Sequence, residues 1–156
     1  MGRGKSPPRP WGLDRSETRK IPALYHGGMA LLLQAHALLG LLLLALVPLL
    51  ALLGLLGFFR PLPSRFYAAL RLAAWVAIAQ VALGFLLFLQ GLRPKDGLHL
   101  LYGLLLAAGL HYLGGLEPGA WFYRGLKDPP KRPEVFVAIG LLFAVGLVLR
   151  VYFTGR

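Results

Sequence analysis

The chain has 156 residues, 57% of them hydrophobic and 15% charged, with a mean hydropathy of +0.65. Soluble domains carry nearer half apolar and a quarter charged residues, so an ordinary water-surrounded globule is excluded and the apolar excess must face lipid. The 17 basic and 6 acidic residues give a net charge of +11, but they sit in tails and loops around apolar runs, which points to anionic lipid headgroups and away from nucleic acid.

All charges fall in residues 1–20, 60–71, 93–96, 117–134 and 150–156, leaving charge-free stretches at 21–59, 72–92, 97–116 and 135–149. A bilayer core of roughly 30 Å needs about 20 apolar residues per helix. Four transmembrane helices follow. The absence of cysteine excludes a disulfide, a thiolate metal site and a thiol nucleophile.

Residues 1–24 read as a flexible basic tail, rich in arginine, lysine and proline and without apolar periodicity. Gly4-Lys5-Ser6 resembles the end of a phosphate-binding loop but has no strand before it, and Gly2 with Ser6 fits a myristoylation pattern that a four-span chain does not need. Residues 25–156 form the transmembrane domain.

The first stretch is too long for one crossing, so a break is expected at Gly27 and Gly28, with a spanning helix over about 29–58 kinked at Pro48. Helix two is expected over 66–90. Helix three, over 97–116, is bounded by Pro94 and Pro118. Helix four, over 134–153, starts at Pro133 and Glu134, a favourable first-turn pair. The loop 117–132 carries Trp121, Phe122 and Tyr123 and is expected to lie along the membrane surface. The fold class is therefore all-α, with short connections favouring an up-down-up-down bundle. Positive-inside counting favours both termini in the cytoplasm, and the expected location is the cell's inner membrane, as a multi-pass protein.

The four histidines belong to the first and third stretches only: His26, His36, His99 and His111. In such a bundle helices one and three are parallel and diagonal, about 14 Å apart when neighbouring axes are about 10 Å apart. That spacing admits a flat cofactor held from both sides by imidazoles, as haem iron is. His36 and His99 share one depth and form the leading pair; His26 and His111 lie far apart in depth and are second-site candidates, through the rival pairings His26 with His99 and His36 with His111. Gly40 follows His36 by one turn and Gly103 follows His99 by one turn, clearing space for a porphyrin or merely serving helix packing. Gln34 and Gln80 can bond a free ring nitrogen or a cofactor edge, or bond across helices. Tyr102 lies near the His99 face. A bare metal site is the weaker option, since no carboxylate accompanies the pair.

The segment Gln80-Val81-Ala82-Leu83-Gly84, followed by Leu98-His99 opening one helix and preceded by His36-Ala37-Leu38-Leu39-Gly40 opening another, resembles the heme A synthase family. In that family a Gln-x-x-Leu-Gly helix lies between two haem-ligating histidine helices. The resemblance covers about residues 34–110 and implies ligation of one b-type haem by His36 and His99. The family carries an acidic residue one turn before its first histidine, where Leu33 stands here, and its usual chain has eight spans. The implied function is thus electron transfer or haem handling near the respiratory chain, with the oxygenase reaction and the catalytic residue left open. Implied partners are respiratory-complex subunits, quinol or further copies of the chain. A cofactor-free accessory subunit is the alternative, and a transporter or channel is disfavoured by the lack of a buried acidic residue within the spans.

Overall fold

The computed structural model describes the backbone of residues 23–155, with side chains from Gly27 onward except that of Trp121. The Gly2 and Gly4-Lys5-Ser6 motifs and the His26 side chain lie outside the described residues. The described chain is helical: α1 (Ala23–Gly54) with a 3-10 turn at Leu55–Phe58, α2 (Ser64–Leu89), α3 (His99–Gly115), the short α4 (Trp121–Gly125) and α5 (Pro133–Thr154). Helices close every backbone hydrogen bond within one segment, which an apolar solvent demands.

The expected break at Gly27 and Gly28 does not occur, and α1 runs through both. Each glycine costs a helix about 1 kcal/mol, less than opening backbone amides in an apolar setting. Pro48 also lies inside the helix. At its far end the chain tightens into the 3-10 turn, whose carbonyls are met by Arg132: its Nη2 donates to Phe58 O at 2.8 Å. A cation on the last carbonyls of a helix is a favourable terminus.

Three helices are long and apolar enough to cross a membrane: Gly27–Phe58, Ser64–Leu89 and Pro133–Thr154. The expected fourth, α3, has only 17 residues, about 25 Å of helix. Gly97 and Leu98 drop out because Asp96 builds a turn there: its Oδ1 accepts from Leu98 N at 2.9 Å and its carbonyl from His99 N at 3.1 Å. α5 begins as the sequence indicates, with proline in its first turn and Glu134 beside it.

Helix α1 packs against α2 and α5, and α3 packs against the same two, so α1 and α3 lie diagonally. Ala73, Ala74 and Ala77 of α2 are fully buried, and such small residues let neighbouring backbones approach. Leucine and valine from all four long helices fill the core, among them Val47, Leu70, Leu110 and Leu141. Leu31, Leu38, Leu72, Trp75 and Phe143 are exposed on the outside, an apolar coat suited to lipid. In the loop 117–132, Phe122 packs on Gly115 and, edge to face, on Tyr112, while Tyr123 OH donates to Pro130 O at 2.9 Å.

Candidate functional site

Each long helix brings one group to the same end of the bundle. His36 comes from α1, Gln80 and Gly84 one turn apart from α2, His99 as the first residue of α3, and Thr154 with Gly155 from the end of α5. The two imidazoles lie edge to face, with ring centres 6.2 Å apart and planes at 62°. Helix α2 runs on from Gln80 to Leu89, whereas α3 starts at His99 itself. The pair therefore stands below the end of α2 but level with the start of α3 and the end of α5.

Gln80 is buried and its amide nitrogen lies 3.4 Å from His36 Nε2. Two polar atoms there, His36 Nδ1 and Gln80 Oε1, are buried with no hydrogen-bond partner among the described residues. Unpaired polar atoms cost about 1–3 kcal/mol each, so the arrangement favours a ligand that pairs them. His99 is held differently: its Nδ1 lies 3.3 Å from Thr154 Oγ1, which in turn donates to Arg150 O at 2.7 Å.

A cavity of about 280 Å³ adjoins the pair, walled by His36, Gly40, Gln80, His99 and Gly103. Leu33, Ala37 and Leu41 of α1 and Val148, Val151 and Tyr152 of α5 also line it. Leu33 and Leu41 are half exposed on the outer surface, so the cavity has its mouth between α1 and α5. At their other end the same two helices are closed: a Cβ on Gly54 would lie 2.9 Å from Leu141 Cδ1, and one on Gly57 would lie 2.8 Å from Glu134 O.

Of the residues singled out in the sequence, His36, His99, Gln80, Gly40 and Gly103 come together around this cavity. Gln34 does not, because it is exposed on the outer face of α1. Tyr102 does not line the cavity either; the Arg150 guanidinium covers its ring at 5.9 Å. His111 stands more than three turns further along α3, exposed and edge-on to Trp75 at 6.5 Å. The pairing of His36 with His111 is thus not formed.

Sequence reasoning missed the residues that seat the imidazoles. A Cβ on Gly84 would lie 3.0 Å from His36 Cε1, and one on Gly155 would lie 2.7 Å from His99 Cε1. By contrast, one on Gly40 would meet Gln80 Nε2 at 3.1 Å and one on Gly103 only Val81 Cγ2 at 3.5 Å. The spacing of Gly84 from Gln80 was a usable signal, since both lie on one face of α2. For Thr154 and Gly155 no local signal exists.

Among the described residues no third histidine, cysteine or carboxylate joins the pair in metal-ligating reach. The donor set is two imidazoles. No family model, curated protein or solved structure matches the chain, so its chemistry is read from this geometry.

Proposed function

We propose that the chain is a four-span, up-down-up-down protein of the inner membrane that holds one b-type haem between His36 and His99, in the manner of the heme A synthase family it resembles. The observation that carries the reading is the imidazole pair, with ring centres 6.2 Å apart beside a cavity of about 280 Å³. Imidazole nitrogens ligate first-row metals at about 2 Å, so rings with centres 6.2 Å apart could both reach one iron. The donor set, two imidazoles without a carboxylate, is that of a bis-histidine haem and a poor one for a bare divalent ion.

Haem bound here supplies one-electron exchange. His36 and His99 would hold the iron, Gln80 would offer its unpaired carbonyl oxygen to a polar edge, and Gly40 and Gly103 would leave room for the ring. The leucine- and valine-lined walls exclude water, and the mouth between α1 and α5 faces lipid. A group larger than the enclosed volume extends through it, and a lipid-soluble quinol approaches the same opening. With 17 residues α3 is at the short end of spanning helices, and its packing against two full-length neighbours supports counting it as a fourth span. Leu33 occupies the position of the family's acidic residue, so electron transfer or haem handling is favoured over the oxygenase reaction.

The test is a reduced-minus-oxidised absorption spectrum of the purified protein with pyridine haemochrome quantitation. One haem b per chain is expected, lost when His36 and His99 are both replaced by alanine. A protein without a Soret band, co-purifying with stoichiometric partner subunits, would replace this reading by that of a cofactor-free accessory subunit.

A further inference from the structure

We propose that the end of α5 fixes His99 in the tautomer that carries its proton on Nδ1, with Thr154 as the positioning residue, so that Nε2 presents the lone pair. The inference rests on the reading of His36 and His99 as axial ligands and adds to it a residue from a helix that contributes no ligand.

A threonine hydroxyl has one hydrogen to give. Thr154 gives it to Arg150 O, at 2.7 Å, with Val151 O further off at 3.4 Å. What Oγ1 retains toward His99 Nδ1, 3.3 Å away, is acceptance. Both carbonyls near that hydroxyl, Arg150 O and Val151 O, are acceptors of the same turn. These groups form the last turn of α5, the negative end of its dipole, which favours an N–H directed at it. Thr154 is 8% exposed, which limits competition from water for its hydroxyl. A neutral imidazole holds one N–H; with Nδ1 carrying it, Nε2 is the nitrogen with the free pair.

A hydrogen-bond acceptor on the second nitrogen of a ligating histidine fixes the ring and raises its basicity. His36 has no such acceptor on either ring nitrogen among the described residues: its Nδ1 is buried without a partner and its Nε2 faces the Gln80 amide nitrogen, a donor. The two histidines are therefore unequal, with His99 the stronger and better oriented donor.

The experiment uses the full chain in lipid nanodiscs with histidine labelled in 15N. In the haem-free protein at neutral pH, the His99 ring, identified as the resonance absent from His99→Gln, is expected to show a protonated Nδ1 and a bare Nε2. Thr154→Val is expected to give a mixture of tautomers, and Thr154→Ser to restore the single form. On titration with haem, Thr154→Val is expected to lower affinity by about 10–100-fold and to raise the midpoint potential, with Thr154→Ser again close to wild type. A wild-type His99 protonated on Nε2, or a Thr154→Val protein equal to wild type in tautomer, affinity and potential, overturns the inference. A wild type that takes up no haem overturns the reading of the site, while the tautomer measurement still decides the role of Thr154.

Discussion

His36 on α1 and His99 on α3 meet edge to face with ring centres 6.2 Å apart, although the helices that carry them are diagonal and do not pack on one another. The contact is therefore set by the two intervening helices. α2 gives Gly84 under His36, and α5 ends in Gly155 against His99. The first prediction tests this. A methyl at Gly155 would meet the His99 ring at 2.7 Å, closer than real carbon contacts tolerate, whereas at Gly84 it would meet His36 at 3.0 Å. Gly155→Ala is expected to displace the imidazole further and to weaken haem binding more than Gly84→Ala, with thermal stability changed by about 1 kcal/mol or less, since the group that must shift is the end of a side chain and not backbone. Equal binding by both variants and wild type would show that the glycines do not position the rings.

Filling the cavity separates binding from folding. A Cβ at Gly103 meets only Val81, at an ordinary 3.5 Å, so Gly103→Ala is expected to keep both fold and ligand. Gly103→Leu adds three more carbons directed at the space beside His36 and His99. It is expected to block haem uptake while the melting temperature in detergent stays near that of wild type. Uptake by the leucine variant at the wild-type level would place the ligand elsewhere.

Charge placement made the helices legible, because a stretch without charges in so apolar a chain has few other fates. The histidine pair was legible for a related reason. A return trip through the bundle brings His36 and His99 to one level, and the diagonal arrangement does the rest. Three features were not legible. The continuity of α1 through Gly27 and Gly28 reflects an apolar surrounding that outweighs local propensity. The short start of α3 depends on one side-chain turn at Asp96. The orientation of Gln34 and Tyr102 depends on rotation of each helix about its axis, and uniformly leucine-rich helices give little amphipathic signal to fix it.

The glycines of the 3-10 turn and of α5 offer a ranking. At Gly57 an added Cβ would meet backbone, Glu134 O at 2.8 Å and its carbonyl carbon at 3.2 Å. At Gly140 it would meet the flexible end of Leu113, and at Gly146 nothing within 4 Å. Gly57→Ala is expected to destabilise by about 1–3 kcal/mol through forced separation of the chain from α5, and Gly140→Ala by less. Gly146→Ala is expected to be neutral or to stabilise by about 0.5–1 kcal/mol through helix propensity. Thermal unfolding of the three variants checks the order, and a Gly146→Ala protein less stable than Gly57→Ala would contradict the packing of α1 on α5.

Tyr67 is fully buried and its hydroxyl has no partner among the described residues. Removing a buried hydroxyl that makes no bond relieves a desolvation penalty of about 1–3 kcal/mol. Tyr67→Phe is accordingly expected to raise the melting temperature, while Tyr67→Ala, which leaves a hole the size of a ring, is expected to cost about 3–5 kcal/mol. A Tyr67→Phe protein clearly less stable than wild type would mean that an internal water pairs the hydroxyl.

Glu117, just beyond α3, reaches across to Arg71 of α2, whose Nη1 also donates to Gly114 O at 3.4 Å. The hydrogen bond from Arg71 is the main force holding the Glu117 carboxyl below its ordinary value of 4.5, with Ser64 helping and burial opposing. A depressed folded value means that the folded chain prefers the ionised form. The pair thus stabilises fully above about pH 4.5 and loses its contribution as the pH falls through the lower folded value. The Arg71 side chain is 44% exposed, so the contribution is modest, about 0.5–1 kcal/mol. Wild type is expected to lose stability on acidification below about pH 4.5 faster than Glu117→Gln does, and the two curves should converge at the acid end. Arg71→Gln is expected to flatten the curve likewise, because it removes the partner that depresses the carboxyl. A stability difference between wild type and Glu117→Gln that stays constant from neutral pH to the acid limit would show that the residue acts by packing and not by charge.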